Sequence, residues 1–114
     1  FIAGGIGITP FRSMVQQMLD DDKMRDAVLL YAVSDPSELA YKDVFSQAAS
    51  RGLRVFPISG SALNAELLTA RVSDIANRRV YVSGPDVMVQ SAKKQLKAAG
   101  VSRRNIVCDY FSGY

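Results

Sequence analysis

Apolar and polar positions alternate in blocks that predict five strands separated by four helices. The predicted strands cover residues 1–4, 26–33, 53–58, 79–83 and 105–109, and the predicted helices cover residues 10–20, 38–50, 65–72 and 86–99. Residues 27–33 are all apolar, which is typical of a strand covered on both faces. Helical spacing on the first helix places these apolar residues on one face: Phe11, Met14, Val15, Met18 and Leu19. The alternation predicts an α/β fold, a doubly wound, mostly parallel sheet with right-handed crossovers and helices on both faces.

Composition narrows the classes of function. The 114 residues make one domain, and 48% apolar with 22% charged residues is ordinary for a globular protein. Because the chain has no histidine, it lacks the Ser-His and Cys-His machinery of common hydrolases. A net charge of +3, carried by scattered basic residues, does not favour nucleic acid.

Four further absences bear on chemistry and location. A single cysteine, Cys108, cannot form an internal disulfide, and its place in a predicted strand favours a small buried apolar residue over a redox centre. No cluster has the spacing of metal ligands. The longest apolar run is far below the roughly 20 residues that cross a bilayer, and no secretory signal precedes it. We therefore expect a cytoplasmic location, with attachment of a longer parent protein to a membrane left open.

The turn after the first strand is the most informative segment. Three glycines fall within four positions (Gly4, Gly5, Gly7), and Thr9 and Pro10 follow before the helix. Glycine lets a backbone approach a ligand closely, the N-terminus of a helix favours an anion, and proline suits the first helical position. The spacing is that of a dinucleotide-binding turn with proline in place of the third glycine. A tight turn without a ligand is the alternative from this motif alone.

A second turn, after the fourth strand, repeats this order. Ser83 could form a hydrogen bond with a cofactor amide, and Gly84 would leave room for a flat ring. The alternative is an ordinary helix start, with Pro85 at or near the first position and Asp86 in the first turn. Ligands of parallel sheets bind at the carboxyl ends of the strands. If the first and fourth strands are neighbours, the two turns face one crevice.

Four segments together carry a family resemblance. They are G-G-I-G-I-T-P-F-R-S-M at 4–14, Y-K-D-V-F at 41–45, Y-V-S-G-P-D-V-M at 81–88 and D-Y-F-S-G-Y at 109–114. In this order they resemble the pyridine-nucleotide-binding domain of the ferredoxin–NADP⁺ reductase family. The resemblance implies a five-stranded parallel sheet in the order 3-2-1-4-5. It also implies hydride exchange between NAD(P)H and a flavin, FAD or FMN, held by a preceding β-barrel domain.

The resemblance also assigns residues. The first turn would surround the pyrophosphate and the nicotinamide side of the cleft, with the residues Gly4, Gly5, Ile6, Gly7, Ile8, Thr9 and Pro10. Gly84, Pro85 and Met88 would lie beside the nicotinamide. Ser83 takes the catalytic position at which many members have cysteine, so nucleotide binding is expected to survive while the rate of hydride transfer is open. Phe111 and catalytic Tyr114 match the terminal aromatic segment that lies against the flavin in some members; ordinary structural aromatics are the alternative.

The residues after the second and third strands bear on the choice of nucleotide. Members that prefer NADP often carry Ser-Arg after the third strand, whereas this chain has Ser59-Gly60. Ser34 and Asp35 follow the second strand, where a carboxylate could accept a hydrogen bond from a ribose hydroxyl and would repel a 2′-phosphate. Both features predict NAD rather than NADP, although Lys42 or Arg54 could still reach a phosphate.

The flavin-binding half of the family is missing from the sequence. The R-x-Y-[ST] signature of its barrel has no match, because the nearest string, residues 79–82, ends in valine. No four-cysteine iron–sulfur pattern occurs. Residues 1–114 are therefore expected to be an NAD(P)-binding domain excised from a longer reductase with an upstream barrel, inactive or nearly so in isolation. Its electron acceptor would be a ferredoxin, a haem protein or an iron–sulfur protein. The alternatives are a nucleotide-sensing or structural domain without electron transfer and, resting on the first turn alone, a domain that binds sugars or phosphate esters.

Overall fold

The computed structural model describes residues 1–4, 7–23, 26–32, 42–58 and 63–111. The strands are β1 (Ile2–Gly4), β2 (Val28–Ala32), β3 (Arg54–Ile58), β4 (Val80–Pro85) and β5 (Ile106–Phe111). The helices are α1 (Ile8–Asp20), α2 (Lys42–Ala49), α3 (Ala65–Arg71) and α4 (Asp86–Ala98). Short 3₁₀ turns at Ile75–Asn77 and Arg103–Asn105 precede β4 and β5.

All five strands are parallel and lie in the order β3-β2-β1-β4-β5, which confirms the predicted topology. From β1 the chain proceeds outward to β2 and β3, and it then crosses to the other side for β4 and β5. The strand order therefore reverses between β1 and β4, where a crevice opens at the carboxyl ends of the strands.

The sheet separates two apolar cores. On one face, α1 and α2 cover Ala3, Leu29 and Tyr31 of the strands. On the other, α3 and α4 cover a second set that includes Leu30 and Val82. Burial of all five residues of β2 explains its unbroken apolar sequence.

Helix α1 begins two residues earlier than the pattern predicted. Gly7 is its N-cap and Pro10 is its third residue rather than its first. The earlier start costs no hydrogen bond, since the first four N–H groups of a helix have no partner within the helix. Proline is therefore tolerated anywhere in this turn.

Strands β4 and β5 are longer than predicted. Gly84 and Pro85, expected to form a turn, instead continue β4 and pair with Tyr110 and Phe111 of β5. The last pair between β4 and β1 is Ser83 with Ala3. Beyond that pair, β5 is the strand with which the described residues of β4 pair, so Pro85 sits at an effective edge, where a missing N–H is acceptable.

Candidate functional site

The candidate site is the crevice between the carboxyl ends of β1 and β4. The first turn of α1 lies on one face of the sheet there, and the first turn of α4 lies on the other. The structure brings together here the predicted residues Gly4, Gly7, Ile8, Thr9, Pro10, Ser83, Gly84, Pro85 and Met88. Gly5, Ile6, Ser34, Asp35, Ser59 and Tyr114 lie outside the described residues. Phe111 ends β5 with its backbone paired to Pro85.

Gly7 holds the start of α1 against the end of β4. A Cβ on Gly7 would stand 2.2 Å from the carbonyl oxygen of Ser83 and 2.7 Å from the backbone nitrogen of Gly84. Its φ of −60° is ordinary for any residue. Gly7 is therefore required for close backbone packing, and a bulky residue there would disturb the fold as well as the binding of any nucleotide.

Met88 fills the mouth of the crevice from the side of α4. Its sulfur lies 2.0 Å from the place where a Cβ on Gly4 would stand and 3.1 Å from the equivalent place on Gly84. The thioether of Met88 therefore packs against the two glycines, where any larger residue would collide with it. The space that the sequence analysis assigned to a flat ring beside Gly84 is occupied here by this flexible side chain.

Ser83 carries the most informative polar group of the site. It is 1% exposed, and within the described part of the chain its hydroxyl Oγ is buried without a hydrogen-bond partner. Because Ser83 pairs with Ala3, its side chain lies on the face of the sheet that α1 covers. A buried hydroxyl without a partner costs about 1–3 kcal/mol, so it marks a place where a polar group of a ligand would be favoured.

The N-terminus of α1 is open to an anion. Among the described residues, no side chain caps it and its first turn has no acidic residue. By contrast, Asn64 caps α3 by accepting a hydrogen bond of 2.8 Å from the N–H of Leu67, and Asp86 supplies a carboxylate to the first turn of α4. Of these three helices, α1 alone leaves its positive end unneutralised.

The side chains of α1's first turn have different environments. Ile8 is 1% exposed and belongs to the core, so only its backbone can face a ligand. Thr9 is exposed and Pro10 is half-buried. The exposed hydroxyl and the free N–H groups are therefore the donors this turn offers.

Val87 is a neighbour of the site that the sequence analysis missed. It is 81% exposed in the first turn of α4, next to Met88. The buried face of α4 consists of Val89, Ala92 and Leu96. Val87 is apolar but lies outside this buried face of the helix, and that position in the sequence could have identified it as a residue of the site.

Other chemistry is limited in the part of the chain that the structure describes. No group of acidic, cysteine and histidine side chains there could hold a metal ion, and no helix there is long and apolar enough to cross a membrane. Cys108 is half-buried and packs against the core under α4. Burial raises the pKa of its thiol, which disfavours the reactive thiolate.

These features fit a dinucleotide. A nicotinamide amide would supply a hydrogen-bond partner to Ser83, which finds none among the described residues, and a pyrophosphate would neutralise the N-terminus of α1. The family model for the oxidoreductase NAD-binding domain matches residues 1–94. The chain belongs to this family. The resemblance to the ferredoxin–NADP⁺ reductase type is likewise confirmed, because the similar proteins include reductase components and flavohemoproteins.

Two relatives illustrate the similarity in sequence. The reductase component of propane 2-monooxygenase from Rhodococcus jostii (strain RHA1) is 28% identical over 129 residues, covering 98% of this chain and 35% of the relative. The NADH oxidoreductase HCR of Escherichia coli (strain K12) is 30% identical over 107 residues, covering 90% of this chain and 33% of the relative. The chain thus spans about a third of the length of these relatives.

Solved structures share the fold. The flavohem-like FAD/NAD binding domain of nitric oxide dioxygenase from Vibrio cholerae superposes with a TM-score of 0.82 at 25% identity, covering 96% of this chain and 49% of that one. Ferredoxin–NADP⁺ reductase from Plasmodium falciparum gives a TM-score of 0.75 at 13% identity, covering 97% and 50%. The second likeness shows the fold alone.

Proposed function

We propose that this domain binds NADH and presents its nicotinamide to a flavin held by another part of a longer protein. The observation that carries the proposal is the hydroxyl of Ser83, which is buried beside the crevice between β1 and β4 with no hydrogen-bond partner among the described residues. When bound, the nicotinamide supplies the hydride, so the chain needs no nucleophile or general base of its own. The contribution of the chain is to bind the nucleotide and to orient its nicotinamide ring.

The residues divide this work. The N–H groups at the start of α1, with the hydroxyl of Thr9, would hold the pyrophosphate. Ser83 would accept from or donate to the nicotinamide amide and so select the orientation of the ring. Met88 would form the apolar wall of the ring site. Its flexible side chain would change rotamer and move away from its contact with Gly4 and Gly84.

The positions of two arginines support NADH over NADPH. Arg54 begins β3 at the amino edge of the sheet and pairs with Asp26 at 3.4 Å. Arg71 ends α3, and its guanidinium lies 5.2 Å from the centre of the Phe56 ring. Arg54 is engaged at the amino edge of the sheet, and Arg71 lies over a ring in the middle of β3. Each therefore already has a partner other than a 2′-phosphate, which in this family would be read after β3. The side chain of Lys42 lies outside the described residues.

The flavin and the electron acceptor belong to the proposal as well. Two of the similar proteins are named as an FAD/NAD binding domain and as a monooxygenase reductase component. Because this chain spans about a third of such relatives, we propose that an FAD- or FMN-binding barrel precedes it in the parent protein. A ferredoxin, haem or iron–sulfur protein would then take the electrons.

The test is reduction of the flavin in the full-length parent. NADH should bleach the flavin absorbance faster and at lower concentration than NADPH. Calorimetry on the 114-residue chain should give a lower Kd for NADH than for NADPH. Nucleotide binding without bleaching would favour a nucleotide-sensing domain, and no nucleotide binding would refute the proposal.

A further inference from the structure

Basic residues gather on one flank of the domain, beside the second half of α4. Residues 87–108 contain no acidic residue and five basic ones, which we call the basic row: Lys93, Lys94, Lys97, Arg103 and Arg104. Because the chain has fourteen basic and eleven acidic residues, the remainder of the chain has nine basic against eleven acidic residues. The net positive charge of the chain therefore comes from this segment.

Two lysines of the row lie on the side of α4 that faces away from α3. Gln95 marks the α3 side, because its Oε1 accepts a hydrogen bond of 3.1 Å from the N–H of Ala65. Lys93 and Lys97 stand two positions before and after Gln95, which turns them by about 200° around the helix, to the opposite flank. Burial raises the pKa of the Cys108 thiol, and the nearby charge of Lys93 opposes that rise, which places Lys93 beside β5.

The two arginines extend the row beyond the end of the helix. Helix α4 begins at the carboxyl end of β4 and returns to the amino edge of the sheet, because β5 is parallel to β4. The 3₁₀ turn with Arg103 and Arg104 directly precedes β5. It therefore lies at the amino edge, where α4 ends. Since β5 is the outermost strand on this side of the described sheet, the row follows a free flank of the domain.

The basic row has no counter-charge in the part of the chain that the structure describes. Its members are exposed, apart from the half-buried Lys93, and none of them forms an ion pair with a described residue. The ion pairs of the described residues involve other arginines, Arg51, Arg54 and Arg78. Because neighbouring like charges repel one another, an anionic partner would be attracted to this flank.

The surroundings of the row favour a protein as that partner. Residues 82–109 contain no aromatic side chain on which a base of single-stranded nucleic acid would stack. Among the described residues, the exposed large apolar side chains are Val87, at the crevice end of α4, and Val107, which pairs with Tyr81 and so faces the other side of the sheet. The row thus lacks the apolar side chains with which an interfacial membrane site is anchored. Carboxylates of a protein need neither feature.

The spacing of the row fits an extended chain. Lys93 and Lys97 are about 6 Å apart along the helix axis. Every second residue of an extended chain points to the same side, at intervals of about 6.6 Å. We propose that the basic row binds an extended acidic segment of a partner protein, with carboxylates at alternate positions facing the lysines.

This surface is separate from the crevice of the proposed function. Lys97 lies about 16 Å along the axis of α4 from Asp86, which begins the helix at the crevice, and the arginines lie beyond it. A partner on the basic row therefore leaves the crevice open, so that it stays attached while nucleotide enters and leaves.

The experiment measures the fluorescence anisotropy of a labelled peptide that is titrated with the full-length protein. One peptide alternates glutamate with serine, and its control alternates glutamine with serine. The glutamate peptide should bind, and its Kd should rise about tenfold when NaCl is raised from about 20 mM to about 200 mM, because salt screens exposed charges. The glutamine peptide should not bind.

Charge reversal tests whether the row is the site. Lys94→Glu with Lys97→Glu should raise the Kd of the glutamate peptide about tenfold or more, because it removes two attractions and adds two repulsions. Lys23→Glu with Arg71→Glu is the matched control, since it changes the net charge equally at exposed positions that follow α1 and lie over β3. It should raise the Kd less than about threefold. Thermal unfolding shows that both variants are folded.

Equal Kd values for the two peptides, or equal effects of the two double reversals, would overturn the proposal and leave the row as protection of the free edge of β5. Oligothymidylate and vesicles of phosphatidylcholine with phosphatidylserine are titrated in parallel. Tighter binding of either one than of the glutamate peptide would also overturn it, in favour of nucleic acid or a membrane. If the lysine variant does not fold, Arg103→Gln with Arg104→Gln replaces it, and unchanged peptide binding then contradicts the proposal. The titrations contain no nucleotide, so their outcome is independent of the proposed function.

Discussion

Replacing Ser83 with alanine should make the protein more stable and bind NADH more weakly. The side chain is 1% exposed, and its hydroxyl has no partner among the described residues. Without nucleotide, the Ser83→Ala variant removes a hydroxyl that loses its hydrogen bonds to water on folding and finds no replacement among the described residues, so the folded state should become more stable. With nucleotide, the same change removes a hydrogen bond to the amide.

The two magnitudes follow from the same hydroxyl. An unsatisfied buried hydroxyl costs about 1–3 kcal/mol, and the small void left by its removal offsets part of that cost. We expect the free energy of unfolding to rise by about 1 kcal/mol, which is a Tm increase of about 4 °C for a domain of this size. Loss of one net hydrogen bond should raise the Kd for NADH by about 3- to 10-fold.

The assay combines thermal unfolding without nucleotide and calorimetric titration with NADH. Ser91→Ala, at an exposed position of α4, is the matched control: it should leave the Kd for NADH unchanged and raise the free energy of unfolding by no more than about 0.5 kcal/mol through helix propensity. Ser83→Cys should bind NADH with nearly unchanged affinity and, in the flavin-containing parent, should transfer hydride at an equal or higher rate. A Ser83→Ala variant that is destabilised while its NADH affinity is unchanged would refute the reasoning.

The remaining predictions concern packing, capping and specificity. Gly7→Ala should lower the free energy of unfolding by about 2–3 kcal/mol, because its Cβ would stand 2.2 Å from the backbone oxygen of Ser83, and urea unfolding measures this. Asn64→Ala should lower the free energy of unfolding by about 1 kcal/mol in the same assay through loss of the α3 cap. Gly60→Arg should narrow the gap between the Kd values for NADH and NADPH in calorimetry.

Matched variants distinguish side-chain contact from backbone contact as the cause of these losses. The three atoms nearest to a Cβ on Gly4 all belong to the flexible side chain of Met88, so adding Met88→Ala to Gly4→Ala should recover most of any loss in the free energy of unfolding. Met88→Ala should not rescue Gly7→Ala, and a full rescue would contradict backbone contact as the cause of its loss.

The sequence was sufficient to predict the order of the strands and helices and the edge of the sheet at which the candidate site lies. Apolar runs of strand length alternate with segments of helical period, and parallel strands joined by helices have few permitted arrangements. The unbroken apolar run of β2 identified a strand buried on both faces before any contact was known. The three-glycine turn and the Ser83-Gly84-Pro85 segment each indicated a close approach of backbone.

The boundaries of the elements and the partners of each contact were harder to predict from the sequence, because they depend on pairs of segments far apart in the chain. The local sequence does not show whether Gly84 and Pro85 form a turn or end β4. Their pairing with β5, a distant segment of the chain, decides between the two. Likewise, a glycine motif does not reveal what each glycine approaches. Gly7 approaches the backbone of β4, and Gly4 approaches the thioether of Met88.

The sequence by itself determined the α/β class, the strand-to-helix turns and, through its resemblance, the family and the kind of cofactor. Only the tertiary structure decided that Ser83 is buried with no hydrogen-bond partner among the described residues, and that Met88 packs against Gly4 and Gly84 in the crevice. The physical reason is that hydrophobic period and turn chemistry are local properties of the chain. Burial, an unmet hydrogen bond and a contact between two turns exist only after distant strands have been brought side by side.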